Sequence, residues 1–331
     1  MTTVSRTDPA SRPKIVALFG PTASGKTALL ERLFCRPDAL LPDGAEVVSA
    51  DSVQVYRGLD IGSAKPEPAL LEKLPHHLID IRSPQQNFSL GDFVALADQA
   101  CADISARGCL PVVSGGTAFY LKAFLFGLPA SPPADLAVRA ALQAELATLG
   151  PEPLRAELER VDPVSAQRIA PADHYRLQRA LEVWRCAGRP LSSFEVPVRP
   201  RGRWDILALA IDRPRPELYA RIDARVETML DAGLEAEVAA LQASGCTAAT
   251  PAMKGIGYAE FFATALADQP PAARRAALAA AIAQNSRRYA KRQLTFMRSL
   301  PGVRWFQADD PDCASQLAAA IREHLAADCA W

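Results

Sequence analysis

Eight consecutive residues, Gly20, Pro21, Thr22, Ala23, Ser24, Gly25, Lys26 and Thr27, lie between an apolar run and a helical pattern. They fit the G-x-x-x-x-G-K-[ST] phosphate loop. In that loop successive backbone N–H groups at a helix N-terminus cradle an anion, the lysine adds a point charge and the last hydroxyl reaches Mg²⁺. The full pattern in this setting separates it from a glycine-rich turn that only starts a helix. By itself it specifies polyphosphate, because the same cradle accepts a nucleotide such as ATP or the diphosphate of a prenyl donor. No N-K-x-D guanine reader is present, which argues against a GTPase; an ATP-dependent small-molecule kinase stays in competition.

A second chemical feature is Asp51, directly after the apolar segment 46–49. Ligands of an open parallel sheet lie beyond the carboxyl ends of its strands, so Asp51 would face the crevice of the phosphate loop. There it could act as a general base or bind magnesium through water, and from position alone a turn-capping aspartate is an equal alternative.

The elements that must carry these residues read as strands at 14–19, 46–49, 78–81, 110–114 and 206–211, with helical patterns at 26–35 and 91–107 between the early ones. Strands apolar on both faces that alternate with helices predict a doubly wound α/β core with a parallel sheet, like that of a P-loop NTPase. From Pro129 prolines punctuate helical stretches at 135–149, 152–160 and 173–187 without a strand signal. The expected organisation is therefore a core over 1–129, a helical insertion over 130–205, and a return to the core with C-terminal helices over 206–331. Long amphipathic patterns occupy 216–243 and 271–299.

The 331 residues carry 37 Lys and Arg against 37 Asp and Glu, with 49% apolar residues, which excludes a disordered tail or a histone-like basic protein. Any basic surface must be local. No apolar run reaches the roughly 20 residues of a membrane helix, and Met1–Pro13 lacks the apolar centre of a signal peptide, so a cytoplasmic protein without a membrane partner is expected. The seven cysteines (Cys35, Cys101, Cys109, Cys186, Cys246, Cys313, Cys329) form no CxxC pair, and neither a disulfide framework nor a zinc site is expected.

Taken in order, GPTASGKT, ADSVQVYRGLDIGSAKP, HHLID, the GGT of SGGTAFYLKA, ALEVW and YAKRQLTF resemble the tRNA dimethylallyltransferase (tRNA isopentenyltransferase) family from about Ile15 to about Trp305. The resemblance implies transfer of a dimethylallyl group from its diphosphate to the exocyclic amine of the adenosine 3′ to a tRNA anticodon. It implies Asp51 as general base, with Ser52, Val53 and Gln54 against the adenine. Lys26, the loop N–H groups and Mg²⁺ at Thr27 would neutralise the departing diphosphate, aided by Arg221 or Arg225, four apart on a predicted helix. Thr117, after Gly115 and Gly116, is implied to touch the tRNA near the target base. Ser114 departs from the apolar residue usual in the family. A free-AMP prenyltransferase with the same loop and Asp51 is the nearest alternative.

Three segments are candidates for holding tRNA, with the chain expected to act as a monomer. Residues 287–298 carry five basic side chains and no acid, and Arg288 stacks on Arg292 and Arg287 on Lys291 at helical spacing. A bare charge run is more often a solvated face; the family match over Lys291, Arg292 and Gln293 favours a phosphate track. The second is Tyr175, Arg176, Leu177, Gln178 and Arg179, where Ala172 and Tyr175 depart from the family's Asn-Asp-x-Gln-Arg. The third is Lys254, Gly255, Ile256, Gly257 and Tyr258, where lysine replaces one family arginine and Ala259 the other. His76 and His77 are expected to be architectural.

Overall fold

The computed structural model describes residues 12–35, 40–41, 44–263 and 270–327; the stretch before Arg12 and Cys329 lie outside the described residues. The run KIVALF, buried from Ile15 onward, forms strand β1 (Lys14–Phe19) and leads through the phosphate loop into helix α1 (Lys26–Phe34). The core continues with β2 (Ala45–Ser49), α2 (Pro68–Lys73), β3 (His76–His77), α3 (Leu90–Ala106), β4 (Leu110–Gly115) and α4 (Ala118–Phe126). The insertion supplies α5 (Leu136–Leu149), α6 (Pro151–Val161), α7 (Pro163–Arg168) and α8 (His174–Ala187). The chain then returns through β5 (Asp205–Asp212), α9 (Arg215–Asp231), α10 (Leu234–Ala243), α11 (Pro271–Arg298), β6 (Arg304–Gln307) and α12 (Cys313–Ala326).

All strand pairs are parallel, in the order β3-β2-β4-β1-β5-β6. β1 is central, with Val16 opposite Val112 on one side and Leu207 on the other. An all-parallel sheet needs apolar cover on both faces. On one face Leu30, Leu33, Leu317 and Ile321 pack on Val16, Leu18, Val112 and Ile211. A separate cluster joins Val55 and Leu59 to Val226, Leu234, Val238, Tyr258 and Ile282, and fastens α9, α10 and α11 beside the loop that follows β2.

Three elements differ from the sequence expectation. The strand expected at 78–81 is the pair His76–His77, because Leu78 and Asp80 adopt left-handed φ of 64° and 58°, which extended pairing cannot accommodate. The pattern 216–243 breaks into α9 and α10 at Gly233, which has φ 98°. A sixth strand, RWFQ, pairs with β5 despite its charge and short length.

The compact units are residues up to Leu125 together with those from Arg201, and a helical unit Phe126–Pro200. In the helical unit Leu142, Leu154, Leu158, Leu177, Ala180 and Leu181 make the core. Aspartates start three of its helices: Asp135 Oδ1 accepts from Ala137 and Val138 N–H, Asp162 from Ser165 and Asp173 from Arg176.

Candidate active site

The loop from Gly20 to Thr27 owes its shape to close approach and handedness. A Cβ at Gly20 would stand 2.7 Å from Ile211 Cγ1 and 2.8 Å from Ser24 Oγ, and Gly25 has φ 101° at the N-cap of α1. Lys26 Nζ donates to the carbonyls of Gly20 (2.9 Å) and Pro21 (2.8 Å). Burial lowers its pKa to about 8, with the positive charge of Arg225 adding to the shift and Asp51 opposing it. The Ser24 hydroxyl is buried inside the loop without a partner among the described residues. Side chains from distant elements brace the loop: Arg213 Nε donates to Ser24 O (2.8 Å), Arg221 Nε to Ala23 O (2.9 Å), and Gln293 Oε1 accepts from Thr22 N–H (3.0 Å).

At the end of β2, Asp51 Oδ1 accepts from Val53 N–H (2.8 Å) and Gln54 N–H (3.2 Å). The turn-capping role is therefore real, and it fixes the carboxylate's direction while Oδ2 stays without a partner among the described residues. Both oxygens belong to a residue that lines the same cavity as Lys26 and Thr27. The end of β4 presses against this turn: a Cβ at Gly115 would lie 2.2 Å from Ala50 O. Thr117 Oγ1 accepts from Ser52 N–H (3.1 Å), and Gln293 Nε2 donates to Gly116 O (2.5 Å). Ser114 keeps its polarity internal by donating to Leu18 O at 2.9 Å.

The cavity measures about 810 Å³ and lies within one compact unit. Its polar end holds Thr22, Lys26, Thr27, Asp51 and Arg225, and its walls include Val53, Ile222, Val226, Met229, Ile256 and Ile282. Burial pulls the Arg225 pKa down, Asp51 opposes that, and Arg221 adds to it. Tyr289 lies against Thr117 and Gln293; burial, reinforced by the Asp51 charge, pushes its phenol up to about 12, so it is neutral at physiological pH. A cavity that combines cations, a carboxylate and aliphatic walls can hold an anionic leaving group, its hydrocarbon and a proton acceptor together.

The structure divides the expected site residues. Thr22, Lys26, Thr27, Asp51, Ser52, Val53, Gln54, Arg225, Lys254, Gly255, Ile256, Gly257 and Gln293 line the cavity. Arg225 faces it, whereas Arg221 is spent on the loop carbonyl of Ala23. Gln54 is committed to architecture: its Oε1 accepts from Ser49 Oγ and its Nε2 donates to the carbonyls of Ser63 and Ala64.

Two side chains expected to touch tRNA are corrected. Tyr258 is fully buried and donates to Glu237 Oε1 (2.7 Å), whose carboxylate also accepts from the N–H groups of Asp60, Ile61 and Gly62. Leu177 is 1% exposed in the core of the helical unit. Gln293 lines the cavity while its side chain ties the phosphate loop to Gly116.

In the helical unit Tyr175 and Arg176 are exposed, with Arg176 paired to Asp173. Arg179 pairs with Glu182 and donates to Pro132 O, and Gln178 is half-buried. His77 contacts Glu46 (2.6 Å), which also takes Arg107, and His76 contacts Leu74 O (2.7 Å). Arg213, Glu237 and Tyr289 were missed as site-building residues. Only Tyr289 sits in a motif, YAKRQLTF, that could have flagged it.

A phosphate loop and a strand-end carboxylate opening into one cavity of an all-parallel sheet define a P-loop-like α/β group-transfer protein. The chain belongs to the IPP transferase family, whose model matches residues 54–300, and the isopentenyl transferase model matches residues 13–90. It is 47% identical over 318 residues to the tRNA dimethylallyltransferase of Methylibium petroleiphilum, covering 93% of each chain. Among solved structures it is similar to the full-length tRNA isopentenylpyrophosphate transferase of Bacillus halodurans (33% identity, TM-score 0.65, 95% of this chain and 97% of that one). It shares the fold of a eukaryotic dimethylallyltransferase described as acting on tRNA (24% identity, TM-score 0.75, 95% and 79% covered).

Proposed function

We propose that this protein transfers the dimethylallyl group of dimethylallyl diphosphate to the exocyclic N6 amine of the adenosine 3′-adjacent to a tRNA anticodon, releasing diphosphate. The observation that carries the reading is the single cavity shared by Lys26, Thr27, Arg225, Asp51 and an aliphatic wall. Relatives named tRNA dimethylallyltransferase at this coverage support tRNA as the acceptor over free AMP, and prenyl transfer over phosphoryl transfer.

In the reaction the N6 lone pair forms a bond to the allylic carbon while the carbon–oxygen bond breaks and its electron pair leaves with the diphosphate. The loop N–H groups, Lys26 and Arg225 offset that charge, and because they already line the cavity they need little reorganisation. The amine proton passes to Asp51, whose Oδ1 is anchored by two N–H groups and whose Oδ2 is left to receive it. The Thr27 hydroxyl is a hard oxygen donor beside the expected diphosphate and suits Mg²⁺ completed by phosphate and water. When bound, the ion would add charge neutralisation at the leaving group. The adenine must leave its stack to enter the cavity, which costs least in an already single-stranded loop. The cavity is built by one chain, and the acting species we propose is a cytoplasmic monomer; among the described residues no helix is long and apolar enough to cross a membrane.

The test is incubation with Mg²⁺ and dimethylallyl diphosphate plus either unmodified tRNA or AMP, with products identified by mass. One added dimethylallyl group on tRNA is expected. Modification of AMP alone, or phosphate transfer from ATP without prenylation, would overturn the reading.

A further inference from the structure

Helix α4 follows Thr117 directly, and its side chains from Ala118 to Leu125 are buried except at two positions. Those are Lys122, half-buried, and Phe119, which leaves 56% of its surface in solvent. Phe119 is paired with Phe296 of α11 at 4.7 Å between ring centroids and 48° between planes, and Lys122 Nζ lies 5.9 Å from the Phe296 ring. An exposed phenylalanine at the start of an otherwise buried helix adds little to a core, and what it presents outward is an aromatic ring edged by a cation.

Two further observations indicate what would cover it. Phe296 is seven residues beyond Tyr289, hence on the same face of α11 and roughly 10 Å along its axis from a residue that lines the reaction cavity. On that helix Arg288, Lys291 and Arg292 have no carboxylate partner among the described residues, whereas Arg287 and Arg298 are paired with Asp223 and Asp212. The aromatic pair is thus bordered by uncompensated positive charge. A flat apolar face beside free cations complements an unpaired nucleobase on its phosphate backbone, since single-stranded nucleic acids are held by stacking on aromatics and by phosphate contacts.

We infer that Phe119 and Phe296, with Lys122, form a stacking platform for the unpaired base that neighbours the acceptor adenine in the RNA loop. The inference rests on the proposed function and adds a specific contact to it. Stacking the neighbour outside the cavity would hold the loop open while the adenine enters toward Asp51, so the platform acts in RNA binding and leaves the diphosphate end untouched.

The test compares the unsubstituted protein and Phe119→Ala with two anticodon stem-loop RNAs, one intact and one with an abasic residue beside the acceptor adenine. Phe119→Ala should bind the intact RNA about 10-fold more weakly, the size expected for one stacked base. Its KM for dimethylallyl diphosphate and its thermal midpoint should be unchanged, and Phe119→Trp should retain binding. The abasic RNA should lose about the same factor with the unsubstituted protein and nothing further with Phe119→Ala. Unchanged binding by Phe119→Ala, or an equal abasic loss in both proteins, would overturn the platform while the proposed function stands. Absence of transfer to the intact RNA by the unsubstituted protein would sink the proposed function and the platform with it.

Discussion

The cations of the reaction cavity and those of α11 are used in opposite ways. Lys26 and Arg225 are desolvated, line the cavity wall and are answered by one carboxylate, Asp51. Arg288, Lys291 and Arg292 are solvated, and Arg292 lies over the ring of Tyr289, 5.9 Å from its centroid. A buried charge acts strongly and locally on a leaving group, whereas an exposed one acts weakly, at range, and through released counterions. The helical unit supplies a third case: Arg185 of α8 is held by Glu145 and Glu157 and has no charge left to offer. Basic residues therefore acquire a function through the carboxylates that tertiary structure does or does not place against them.

The largest effect expected from this contrast is at Arg225. Arg225→Ala should lower kcat/KM for dimethylallyl diphosphate by about 100-fold, the scale of one lost transition-state donor, with tRNA affinity nearly kept. A loss confined to tRNA binding would break the contrast. Lys26 sharpens it through pH. Its pKa of about 8 lies below the ordinary lysine value of 10.5, so the side chain is charged below that pH and neutral above it. The kcat/KM for dimethylallyl diphosphate should fall as pH rises through about 8, and Lys26→Arg should remove that descending limb. A profile flat from pH 7 to 10 would contradict the assignment.

Smaller effects belong to the exposed set. Neutralising Arg288 and Arg292 should weaken tRNA binding across sequences and flatten the salt dependence by about two units of slope, with kcat at saturating tRNA little changed. An unchanged slope would return this face of α11 to ordinary solvated surface. Least of all, Arg185→Ala should leave tRNA affinity within about 2-fold, because its charge is already satisfied within the protein. A loss comparable to that of the α11 pair would mean that pairing in the free protein does not predict use.

The phosphate loop and Asp51 were legible in the sequence because each is contiguous with a strand end. Other contacts of the site were not, for physical reasons. Arg213 and Gln293 reach the loop from far along the chain, and one of the two arginines in DRPRPE or a glutamine in a basic run has no local signature of that contact. Tyr258 and Gly257 form a recognisable pattern, yet their neighbours decide their use: the Glu237 carboxylate captures the phenol together with three backbone N–H groups. The segment 78–81 has strand composition, and left-handed backbone at Leu78 and Asp80 overrides it. Apolar periodicity read most of the helices well because each is fastened by a stripe of leucine, isoleucine or valine, as in α9 with Leu218, Ile222, Val226 and Leu230.

The central claim is that Asp51 takes the amine proton at the end of a cavity whose other groups neutralise diphosphate. Asp51→Asn preserves Oδ1 as an acceptor for the N–H groups of Val53 and Gln54, so the turn should survive while the base is lost. In single-turnover transfer from dimethylallyl diphosphate to unmodified tRNA, the substituted protein should react roughly 100-fold or more slowly with tRNA affinity nearly unchanged. A near-normal rate would contradict the account.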